Sequence, residues 1–226
     1  MFFWDPTFLL LIPVLIFAGW AQSKVKSTFN TYDDVRSMNG YTGESAARTV
    51  LDANGLDDVV IERVQGSLTD HYDPRSRTLR LSEDVYSSRS LSALGVACHE
   101  AGHALQHARG YFPLEIRSFI FPVARFGSFA AWPLFFLGFL FAAPALMDLG
   151  IIVFTFAALF QFATLPVELN ASNRAIAALR TNGIISEQEI DGSRKVLNAA
   201  ALTYVAAVLM AVMQLVRLLI LRGARD

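Results

Sequence analysis

The sequence predicts a mainly α-helical, polytopic membrane protein with about four transmembrane helices and one small α+β polar domain. Three observations lead there. Of the 226 residues, 54% are hydrophobic and only 17% are charged, against about 25% charged in an ordinary soluble domain. The apolar residues are clumped into long runs, and mean hydropathy is +0.40, the pattern of bilayer spans rather than of a single soluble core. Between the first two runs lies a polar stretch long enough for one small domain. The net charge of −1 gives no footing for nucleic acid.

The organisation follows in chain order. Residues 1–22 form an N-terminal segment whose span, 7–22, is short and followed by Lys24 and Lys26. Asp5 stands before it, where a cleaved signal would carry positive charge, so an uncleaved signal anchor is expected. Residues 23–118 form the polar domain, and 119–166 a tight transmembrane hairpin with spans at 119–141 and 145–165. A break is expected at Pro166, followed by a separate helix in the segment 167–198, covering 167–180. Residues 199–226 carry the fourth span, at 199–221. Arg125 and Arg217 near span ends are expected to snorkel to the interface.

Lysine and arginine set the orientation. Eleven of them lie between positions 23 and 118, and four between 167 and 198; the N-terminus and the 141–145 loop have none. Both polar segments are therefore expected on the cytoplasmic side. Arg222 and Arg225 at the C-terminus run against that rule, a conflict that a fourth segment lying in the interface would remove.

Within the polar domain, 42–54 reads as a helix ended by Gly55. Strands are expected at 58–64, 68–72 and 78–82, the last two around Asp73-Pro74-Arg75-Ser76. A helix over 90–109 has Leu91, Leu94, Ala97, Ala101, Leu105 and Ala108 at helical spacing and Gly110 as its stop.

That helix carries His99-Glu100-Ala101-Gly102-His103. Residues four apart share a helix face, so two imidazoles can reach one ion at about 2.0–2.1 Å. Glu100, one position on, lies beside the metal, placed to act as general base rather than ligand. The flanks Val96, Ala97, Ala101, Ala104 and Leu105 argue against a mere surface helix, because two His and a Glu buried without partners are costly. Cys98 points about 100° away from His99 and reads as a small core residue. His107 is about 12 Å along the helix from His99, too far to share the ion.

A catalytic zinc needs three protein ligands and an open position. Glu115, Glu168, Glu187 and Glu189 all stand on the correct side of the membrane. Glu168 is favoured because small residues follow on its face, at Ala171, Ser172 and Ala175, permitting close helix packing. Tyr72, His71 and Arg174 are unranked candidates to stabilise an oxyanion. The 78–82 strand is expected to align an extended substrate by edge pairing.

Three segments carry a family resemblance: LTDHYDPRSRTLRLS at 68–82, VACHEAGHALQH at 96–107 and PVELNASNRA at 166–175. They resemble the YugP-like family of neutral zinc metallopeptidases, and more distantly the membrane peptidases of the HtpX and CAAX-processing type. The resemblance implies a zincin-like domain, with His99, His103 and Glu168 as Zn²⁺ ligands and Glu100 as base. Ser172 departs from the wider group's pattern, an Asp that supports a ligand His, so that support is expected from Asn170 or another residue. The activity expected is peptide-bond hydrolysis near the cytoplasmic membrane surface, on protein or peptide substrates that include membrane proteins. A non-catalytic metal-binding adaptor is the alternative; a small transporter is disfavoured because few buried charges mark a pathway. Substrate identity and oligomeric state are not legible.

Overall fold

The computed structural model describes residues 6–224. It is mainly helical, with one three-stranded sheet and four helices long and apolar enough to cross a membrane. A 3₁₀ turn, Pro6–Leu11, leads into α1 (Ile12–Asp33). Then come α2 (Gly43–Asp52), β1 (Val60–Val64), β2 (His71–Asp73), β3 (Thr78–Ser82), the single turn α3 (Glu83–Tyr86) and α4 (Leu91–Ala108). Three long helices complete the chain: α5 (Phe112–Leu140), α6 (Pro144–Thr181) and α7 (Ile190–Gly223). Two compact units result: Gln22–Tyr111 with Val167–Ala201, and Met1–Ala21 with Phe112–Pro166 and Leu202–Asp226.

In the first of these units β3 is the central strand, parallel to β1 and antiparallel to β2. Leu79 and Leu81 of β3 are fully buried, in one core with Val50, Leu51, Val59, Val85, Leu94 and Ala97. Each such aliphatic side chain contributes about 1.5–3 kcal/mol by leaving water. The strand expected at 78–82 is there. The one expected at 68–72 begins only at His71, because Gly66 and Leu68 take positive φ (103° and 57°), which no strand accommodates. Asp70 accepts from the Ser82 amide (2.7 Å) and hydroxyl, pinning the entry of β2 to the end of β3.

Two helix starts are capped as their sequences suggest. Thr42 and Ser45 exchange side-chain-to-amide bonds in a capping box on α2. Ser90 accepts from the Ala93 amide at the start of α4 and donates to Asp33. Ser92 also donates to the Phe29 carbonyl at 2.7 Å. These bonds hold the end of α1, which runs on well past position 22, where the sequence reading had ended it.

The break expected at Pro166 does not occur. α6 is continuous, so the third span and the helix carrying Glu168 are one element. Proline removes one backbone donor, which an apolar helix tolerates when its neighbours re-satisfy the freed groups. The donor lost here would have served the Phe162 carbonyl; the helix is held on either side of it, by the Thr164 hydroxyl on the Phe160 carbonyl and by the Gln106 amide on the Val167 carbonyl. α5 likewise runs through Pro122 and Pro133.

In the other unit, α5 and the first part of α6 meet closely at glycines: a Cβ on Gly150 would stand 2.9 Å from the Ala131 carbonyl oxygen. Such small-residue contacts are the usual means of packing helices in lipid. Phe119, Phe129 and Phe141 point outward, up to 86% exposed, as lipid-facing residues do. Arg217 donates to Thr7 and lies over the rings of Trp132 and Phe8. α7 is a single 34-residue helix that is long and apolar enough to span.

Gly102 of α4 faces α6 so closely that an added Cβ would stand 2.8 Å from the Ala171 carbonyl oxygen. Gly102→Ala should therefore destabilise the protein by about 1–3 kcal/mol. Gly19→Ala, with nothing within 4 Å of the added carbon, should not. Chemical denaturation in detergent measures both.

Candidate metal centre

Small side chains bring α4 and α6 together. Ala97, Ala101 and Ala104 on α4, and Val167, Ala171 and Ala175 on α6, are all at most 1% exposed. With Gly102 among them, the helices approach far enough for a short carboxylate on one to reach the imidazoles of the other.

His99, His103 and Glu168 meet there. One potential ligand atom from each lies within 4.8 Å of the other two, the one such group found among the described residues. Glu168 Oε2 is 3.2 Å from His99 Nε2 and 3.5 Å from His103 Nε2. Ligand atoms around a tetrahedral ion with bonds of about 2.0–2.1 Å stand about 3.4 Å apart, so these spacings fit. The rings of the two histidines meet edge-on, with centroids 4.8 Å apart. Two neutral imidazole nitrogens and one carboxylate oxygen form a donor set that suits zinc and leaves a fourth position open.

Burial and charge act on the site together. Burial opposes protonation of His103, but the carboxylates of Glu168 and Glu100 outweigh it and hold the imidazole above its ordinary value. Glu100 is 9% exposed, and no hydrogen bond to it occurs among the described residues. Asp70 is also above its ordinary range, chiefly through burial; Ser82 pulls it down, and the Glu100 charge adds to the rise. That coupling puts the entry of β2 beside the motif helix.

The outward nitrogen of each histidine is held. His99 Nδ1 is 3.1 Å from the Ser172 hydroxyl, and His103 Nδ1 is 3.0 Å from Gln106 Oε1. Ser172 thus gives the support that the sequence reading sought elsewhere, because α6 lies close enough for a short hydroxyl to reach. Asn170 instead bonds Gln106. No local signal marks Gln106, which stands between Leu105 and His107 and whose partners on α6 lie 61 and 64 residues away.

The other candidates are occupied elsewhere. Glu187 pairs with Arg180, and Glu189 accepts from the Met38 and Ser186 amides. Glu115 sits in the first turn of α5, outside the cluster. Burial pushes the Cys98 thiol up to about 12, so it is a neutral core residue. His107 Nδ1 bonds the Tyr72 hydroxyl at 3.0 Å, His71 Nδ1 bonds the Thr69 carbonyl, and Arg174 donates to Asn170 and lies over Tyr111. The edge-pairing expectation for 78–82 fails: β3 has a strand on each side, and the edge on the α4 side is β2.

A mainly helical membrane chain with a histidine–histidine–carboxylate cluster of this kind defines a class. The model of the family described as "Putative neutral zinc metallopeptidase" matches residues 7–223, and the chain belongs to that family. It is 51% identical over 218 residues, 96% of its own length and 97% of the relative's, to the "Putative membrane protease YugP" of Bacillus subtilis (strain 168). No solved structure matches.

Replacement of His99, His103 or Glu168 by alanine should each abolish stoichiometric zinc, as read by metal analysis of purified protein. Ligands bind metal only when deprotonated. Protons and zinc compete for His103, whose neighbouring carboxylates favour its protonated form, so zinc affinity should fall as pH is lowered, as read by chelator competition across a pH series.

Proposed function

We propose that this protein is a zinc-dependent membrane endopeptidase, with Glu100 as general base. The observation that carries this is the convergence of two imidazole nitrogens on one Glu168 oxygen beside a buried Glu100 that has no hydrogen bond among the described residues. When bound, zinc supplies Lewis acidity toward a water and a scissile carbonyl.

The chain's own residues supply the rest. His99, His103 and Glu168 hold the ion, with Ser172 and Gln106 orienting the two rings. Glu100 takes a proton from the attacking water and delivers it to the departing amine. The negative charge that develops on the carbonyl oxygen calls for a further donor. Tyr72 is the best placed of the three candidates, since its hydroxyl already meets α4 at His107, one turn beyond His103. An extended peptide would pair with the open side of β2, replacing the assignment to β3. The lysine and arginine distribution supports a site facing the cytoplasm, open to soluble peptides and membrane proteins alike.

Glu100→Gln should keep zinc and lose about 10²–10⁴-fold in cleavage of casein or a peptide. Equal activity in that variant, or none in zinc-loaded wild type, would favour the adaptor reading. Tyr72→Phe should keep zinc and lower kcat by about 10²–10³-fold.

A further inference from the structure

Gln106 is fully buried, and its carboxamide is bonded on both sides. Nε2 is 2.7 Å from the Val167 carbonyl oxygen and 3.0 Å from Asn170 Oδ1; Oε1 is 3.0 Å from His103 Nδ1. The backbone carbonyl of Val167 only accepts, so the atom facing it is the NH₂. Asn170 is oriented by the same reasoning, because Arg174 Nε, 2.7 Å away, only donates and so requires an oxygen. The amide flip that is ambiguous for an isolated Gln or Asn is thereby decided at both positions. What remains for His103 is an oxygen, which demands a proton on Nδ1. A neutral imidazole has one N–H, so Nε2, the nitrogen turned toward Glu168, carries the lone pair.

We propose that Gln106 is a positioning residue: clamped to α6 by Val167 and Asn170, it sets the tautomer and ring orientation of His103 for metal binding. The clamp has a second effect. Val167 directly precedes Glu168, so one side chain spaces His103 on α4 against the turn of α6 that carries the third ligand. His99 relies on the separate Ser172 hydroxyl, and the two histidines are thus oriented independently. The inference rests on the metal-site part of the proposed function and not on peptidase activity.

The test is zinc affinity by chelator competition, together with the visible spectrum of the cobalt-substituted protein, in Gln106→Met. Loss of such supporting contacts typically weakens metal binding by about 10–100-fold, and that range is expected here, with a shifted cobalt spectrum. Leu105→Ala, a buried residue of α4 in the hydrophobic core, is the control. It should destabilise the fold while leaving zinc affinity within about threefold of wild type. Asn170 supplies a second pair of variants should Gln106→Met fail to fold. Asn170→Asp keeps both accepted bonds and should hold zinc like wild type, whereas Asn170→Leu should bind it more weakly. Wild-type zinc affinity and cobalt spectrum in Gln106→Met would overturn the proposal, as would equal affinity in the two Asn170 variants. Zinc-loaded wild type that cleaves nothing would remove the peptidase reading and leave this inference standing.

Discussion

Everything at the metal centre depends on how closely α4 and α6 approach. Glutamate is a short ligand compared with the distance between two ordinary helix axes, about 8–10 Å. Gly102 against Ala171, with alanines above and below, removes the side-chain bulk that would hold the helices apart. The small residues of the motif helix are therefore as much a part of the site as the histidines. A larger residue at 102 would change none of the three clustered side chains, yet would press on the Ala171 backbone of the helix that carries Glu168.

Close approach also buries polar groups, and each must find a partner. The solution is a chain of bonds running from Arg174 through Asn170 and Gln106 to His103, with Ser172 serving His99. Glu100, 9% exposed beside the cluster, takes no part in that chain and has no hydrogen bond among the described residues. On the proposed mechanism, a base that exchanges protons with a water and a leaving amine has to be left so. The unbonded carboxylate and the fully bonded amide next to it are two consequences of one crowded interface: one group is held still, the other is left available.

Much of this was legible in the sequence, for physical reasons. The motif helix was read almost to the residue because its cap, its apolar spacing and its glycine stop are local signals. Glu168 was favoured from the small residues following it, which describe the packing that the structure contains. Pro166 misled, because its local preference is to end a helix, while the Gln106 bond to the Val167 carbonyl and the burial of Val167, Ala171 and Ala175 hold the following turns helical against α4. β2 was placed too early because it was read back from the turn Asp73-Pro74-Arg75-Ser76, whereas Gly66 and Leu68 turn the backbone left-handed. Gln106 and the order of the strands were out of reach: both are fixed by partners more than a dozen residues away in the chain.

The central claim is that one ion is held by two imidazoles and a carboxylate, with the neighbouring thiol excluded. X-ray absorption at the zinc edge of the purified, metal-loaded protein tests it directly. The account predicts a shell of nitrogen and oxygen at about 2.0–2.1 Å, with the outer-shell scattering of two imidazole rings. A sulfur neighbour at about 2.3 Å, which Cys98 alone of the cysteines is there to provide, or a shell of oxygen with no imidazole signal, would contradict it.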